Sequence, residues 1–223
     1  MHSPISTDNR HTADTPIQGD SEPKFTRLPG LGAYLALALW FAAVLAAIST
    51  GVYEDGGNPP VALITTVASP ILGMTAAYLG IPRFRHYVLS LDLRLILGAQ
   101  LWRVVGMAFL FALAFDQLPA GFAIPAGIGD VATGIAALAV VISLGNATLT
   151  RGRLYAFTAL GIGDFMAAIF TGLTLRPPEL DVWPLIIFPT MMVPFFAILH
   201  LISVLQSRHH WRDRVQHMAG STG

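Results

Sequence analysis

The stretch Leu93-Arg94-Leu-Ile-Leu-Gly-Ala-Gln100-Leu-Trp-Arg103-Val-Val-Gly-Met107-Ala-Phe-Leu-Phe-Ala-Leu-Ala-Phe115 decides the fold class. At about 1.5 Å per helical residue it can cross a hydrocarbon layer of about 30 Å. A soluble helix would turn Arg103 towards water. Here the residues three and four positions to either side are almost all apolar, so the helix has no wet face. In a bilayer Arg103 lies near the middle and needs a partner there.

Five more apolar runs flank it, at residues 31–52, 61–81, 126–144, 154–175 and 182–205. Only 12% of the 223 residues are charged and 54% are hydrophobic, with a mean hydropathy of +0.62. Soluble domains carry about a quarter charged residues. The expected fold is therefore an all-α membrane protein, a six-transmembrane-helix bundle over residues 31–206. Residues 1–30 are polar and aperiodic and read as a disordered tail. They are not a signal peptide, whose apolar core follows closely on a basic start. Residues 207–223 form a basic tail. Residues 116–125 are too apolar for an ordinary exposed loop and are expected to dip back into the membrane or to cap helix ends.

Positive charge sets the orientation. Eleven of the thirteen basic residues, among them Arg83, Arg85, Arg94, Arg151, Arg153 and Arg208, fall on one side of a six-span arrangement. The other side holds Glu54, Asp55, Asp116, Glu179 and Asp181, with Arg176 alone against them. The positive-inside rule then places both termini in the cytoplasm, in an inner or plasma membrane of bacterial type. The lack of cysteine excludes disulfides, thiolate catalysis and thiolate metal sites. The lipid bilayer is one partner. No basic stripe with interleaved aromatics points to nucleic acid.

Counting residues from the charged boundaries puts Arg103 and Asp164 at matching mid-membrane depth, with Gln100 a turn away on nearly the same face. The expected pair is Arg103 with Asp164, joined by charge-assisted hydrogen bonds. Asp130 is expected in the first turns of span four, nearer the outer surface, where an acid also suits the positive end of a helix. Gly127-Ile-Gly-Asp130 recurs as Gly161-Ile-Gly-Asp164 in a helix of opposite direction, as an inverted repeat would require. The small residues Gly129, Thr133 and Ala137, and likewise Ala159 and Gly163, have spacings that let helices approach, within the bundle or between copies of the chain. In span six, Pro189 and Pro194 are expected to free the carbonyls of Leu185 and Thr190, and Pro70 that of Thr66 in span two.

His200 is expected deep in span six, but towards its cytoplasmic end. It can serve as a proton relay or as a histidine bonded to a neighbouring carbonyl; no cofactor is expected, and haem held with His86 is the lesser alternative, since a transmembrane electron path would need histidine pairs at two depths. His209 and His210, beside Trp211, suit the interface. No nucleotide-binding loop, zinc-protease or serine-hydrolase motif is present. No metal site or catalytic residue is assigned.

Gln100, Arg103, Asp130, Asp164 and His200 thus form the candidate site. The leading reading is a small-solute or ion transporter, proton-coupled through Asp164. Against it stand a membrane-embedded enzyme or haem protein using Asp130, Asp164 and His200, and an accessory or assembly subunit whose polar cluster only specifies helix packing.

Overall fold

The computed structural model describes residues 28–53, 60–181 and 183–220, with the side chains of 179, 181 and 210–220 left aside. The tail at 1–27, the acidic turn at Glu54 and Asp55, and the His210, Trp211, Arg212 and Arg214 side chains lie outside the described residues. Among the described residues the chain is all-helical. Six helical stretches are long and apolar enough to cross a membrane, as an integral membrane protein requires.

Span one is α1 (Leu31–Ser49) and span two is α2 (Val61–Gly80). A short helix, α3 (Pro82–Ser90), has proline in its first turn, where a missing N–H costs nothing. Span three is composite. It begins as α4 (Leu93–Ala99), capped by Asp92 accepting from the Arg94 N–H, tightens to a 3₁₀-helix at Gln100–Gly106, and resumes as α5 (Met107–Ala114). Asp116 ends it with a left-handed φ of 56°. Spans four and five are α6 (Ala120–Gly145) and α7 (Arg151–Leu175). Span six opens with a π-helical segment, Phe188–Met192, and continues as α8 (Val193–Gly220).

Several boundaries correct the sequence reading. Of residues 116–125, 116–119 form a turn whose Leu118 packs with Phe109 and Phe122, and the rest are the opening of α6, with Pro119 at its N-cap and Pro125 inside the helix. Span six starts later than residue 182, because residues 183–186 form a turn that holds Pro184 outside the helix. Pro189 widens the backbone into the π-helical segment, where the Leu185 carbonyl accepts from Phe188 N. The backbone of α8 continues beyond residue 207 to Gly220.

The bundle core is spans three to six. Phe109, Ala112, Phe122 and Ala126 fill one end, and Leu93, Leu97, Ala137, Leu154 and Phe157 the other. α1 lies at the edge against the π-helical segment, with only Val44 buried. The 3₁₀ stretch decides which side chains of span three face the interior. In a 3₁₀-helix residues three apart eclipse, whereas in an α-helix each such step fans by about 60°. Gln100, Arg103 and Gly106 therefore share one edge, and they are the buried residues of the stretch.

Close approach of this stretch to α6 depends on missing side chains. A Cβ on Gly134 would stand 2.8 Å from Val104 Cγ1 and 3.1 Å from the Val104 backbone nitrogen. A Cβ on Gly163 would meet nothing within 4 Å, so the Ala159–Gly163 stripe is not used inside the bundle. Gly134→Ala should therefore destabilise the protein by about 1–3 kcal/mol through overpacking, while Gly163→Ala should be neutral or stabilising by up to about 1 kcal/mol. Thermal unfolding of the two variants in detergent checks this; equal midpoints would count against the packing described.

Candidate functional site

Arg103 is 1% exposed and stands at the centre of a polar cluster. Its 3₁₀ position turns it inward between α6, α7 and α8. Nε donates to Asp130 Oδ1 at 2.8 Å, and NH2 donates to Asp164 Oδ2. NH1 donates to the Gly161 carbonyl at 3.3 Å and lies 3.5 Å from His200 Nε2. The guanidinium carbon sits 4.0 Å from the centre of the Phe165 ring, a cation–π contact in a dry setting.

The expected Arg103–Asp164 pair is present, but it is half of a larger arrangement. Asp130 is not near the end of span four. With α6 starting at Ala120, it is the eleventh residue of the helix and reaches the same guanidinium. His200 is deep in span six, as expected. The candidate span covers Phe188–His209, which puts His200 near its middle, fully buried against Arg103, Phe157 and Phe165. Gln100 shares the buried edge but does not bond Arg103; its Nε2 donates to the Phe196 carbonyl at 3.2 Å. The two Gly-Ile-Gly-Asp copies converge, since each delivers its aspartate to one arginine from antiparallel helices.

Glycine again makes the approach possible. A Cβ on Gly106 would collide with the Asp130 side chain, one on Gly129 with the Asp164 carboxyl, and one on Gly161 with His200. Gly129, Thr133 and Ala137 are therefore spent on the bundle itself, with Thr133 and Ala137 fully buried.

The cluster holds one acidic group more than it has arginines. One guanidinium faces two carboxyl groups, which also interact with each other. Its hydrogen bonding is also incomplete. Gln100 Oε1, Thr133 Oγ1, Asp164 Oδ1 and His200 Nδ1 are buried without a partner among the described residues. With Nε2 facing an Arg103 N–H, a neutral His200 carries its proton on that unpartnered Nδ1. The side chains of Arg103 and Asp164 are 0% and 5% exposed, and that of Asp130 is 16% exposed, so the site is closed apart from one carboxyl edge.

His86 and His200 stand in different surroundings. His86 is exposed on α3 and lines a surface cavity, whereas His200 Nε2 faces Arg103. The sequence gives no sign of Phe165 or of the Gly161 carbonyl as partners of Arg103. Phe165 adjoins Asp164 and Gly161 lies at helical spacing from it, but apolar and small residues carry no mark of such a role.

The family described as "Domain of unknown function (DUF8737)" matches residues 58–206. The chain belongs to that family. The match takes in spans two to six and every residue of the cluster, and leaves α1 outside. No curated protein and no solved structure matches the chain.

Arg103→Leu should cost about 3–5 kcal/mol, because two buried carboxyls lose their counter-charge. Adding Asp130→Asn and Asp164→Asn to that variant should restore a large part of the loss. Thermal unfolding of the single and triple variants decides; no recovery in the triple would mean that the charges are not energetically coupled.

Proposed function

We propose that the protein is a small-solute or ion permease whose central event is the binding and release of one proton over the Asp130–Asp164 pair, with Arg103 as a built-in counter-charge. One observation carries this reading: a buried guanidinium is shared by carboxyls from two helices, and Asp164 Oδ1 is left without a partner among the described residues. With both carboxyls ionised the cluster has a net charge of −1; one proton makes it neutral, the cheaper state in a low-dielectric interior. Oδ1 is the open position for that proton, since Oδ2 is taken by Arg103. Protonating Asp164 weakens its bond to Arg103 while Asp130 still holds the guanidinium. Proton binding thereby shifts Arg103 between two helices, a movement that can be coupled to opening.

The 3₁₀ stretch in span three and the π-helical segment in span six support the same reading. Such departures from α geometry mark hinges and functional sites, and discontinuous helices line transporter sites. Ionisable residues inside spans usually serve pathways or relays. The closed packing corresponds to an occluded state. An anion could not reach Arg103 here without displacing a carboxylate, so the arrangement favours a proton or cation over direct anion binding.

A second reading has its own support. The near-complete burial of the Arg103 and Asp164 side chains also suits an accessory subunit in which the cluster fixes helix register.

Infrared difference spectra of the reconstituted protein across a pH step separate the two readings without a known substrate. A carboxyl C=O band that is lost in Asp164→Asn and shifted in Asp130→Asn supports the permease. The same variants should also lose pH-gradient-driven uptake across a panel of small solutes. A protein with no titrating carboxyl, whose Arg103→Gln, Asp130→Asn, Asp164→Asn triple variant folds like the parent, has a packing core instead.

A further inference from the structure

The polar stripe of α3 is not part of the Arg103 cluster. Phe84, Tyr87, Val88 and Leu91 pack against Met74 and Tyr78 of α2 and Leu199 and Ile202 of α8. Gln206 Nε2 fastens the end of the helix by donating to the Val88 and Leu91 carbonyls at 2.9 and 3.0 Å. The helix is thus held where spans two and three are joined, at the boundary of the apolar layer. Arg83, His86, Tyr87 and Ser90 recur at i, i+3, i+4 and i+7, so they form one face. With Pro82 they line a cavity of about 540 Å³.

Two of these side chains lack partners among the described residues. Tyr87 Oη accepts from Gly30 N at 3.0 Å, and Ser90 Oγ donates to the Tyr87 carbonyl. Arg83 and His86 make no hydrogen bond or ion pair with the described residues. Just before them in the chain, Leu72, Leu79 and Ile81 are exposed apolar side chains on α2 and at its end, 65%, 72% and 52% accessible.

We propose that this cavity binds the phosphate headgroup of an anionic phospholipid, with Arg83 and His86 donating to the phosphate and the acyl chains lying along Leu79, Ile81 and Leu72. A cationic pocket beside a span recognises anionic headgroups. The exposed apolar residues of α2, whose end leads directly into Pro82 and Arg83, select a lipid over a free phosphate, which has no chains to cover them.

The test is lipid retention by the purified, delipidated full chain in detergent, read by native mass spectrometry with added phosphatidylglycerol or phosphatidylcholine. Phosphatidylglycerol should be retained and phosphatidylcholine should not. Arg83→Gln combined with His86→Gln should weaken retention about ten-fold, whereas Arg83→Lys, which keeps the charge, should weaken it less. Arg85→Gln, an exposed cation outside the cavity, should leave it unchanged. Equal retention of the two lipids, an unaffected double variant, or an equal loss in Arg85→Gln would overturn the proposal. Displacement of the lipid by inorganic phosphate at moderate concentration would reassign the cavity to a soluble anion.

Discussion

A guanidinium buried among spans three to six sets the terms for the rest of this structure. Desolvating Arg103 is costly, and its surroundings offset that cost with two carboxyls, a backbone carbonyl and the face of Phe165. Each compensating group imposes a local demand. The carboxyls can reach Arg103 only if α6 and α7 come close, so Gly106, Gly129 and Gly161 have no side chain at the contact points. Gln100, Arg103 and Gly106 can all face inward only if span three tightens to a three-residue period.

A cluster serving only to hold helices in register would be expected to satisfy its own hydrogen bonds, because an unpaired buried polar atom is costly. This one leaves atoms of Gln100, Thr133, Asp164 and His200 without partners among the described residues and sets two carboxyl groups on one guanidinium. The unpaired atoms and the second carboxyl are the features on which the proposed proton-handling role rests. The two departures from α geometry add to it. The 3₁₀ stretch carries Arg103, and the π-helical segment precedes α8, which carries His200.

The family match and the packing divide the chain in a similar way. The match begins ahead of span two, and α1 touches the bundle at its margin with one buried residue. α3 is tied more firmly, through its apolar face and Gln206, and at the layer boundary it carries Arg83 and His86, which have no partner among the described residues. The centre of the bundle and its boundary therefore present two separate chemistries.

Hydropathy alone determined the all-helical class and the six apolar stretches, because spanning length and the exclusion of charge are properties of consecutive residues. Depth counting also paired Arg103 with Asp164, since two charges at one level in an apolar layer have few alternatives. The chain order could not show where helices begin when prolines and apolar turns blur their ends, and so Asp130 was set too near the start of span four. Nor does hydropathy distinguish a 3₁₀ or π-helical turn from an α one. Only the tertiary packing brought Asp130, Asp164 and His200 around one guanidinium and turned Gln100 to Phe196. Those contacts depend on helix rotation and close approach, which are decided by neighbours far apart in the chain.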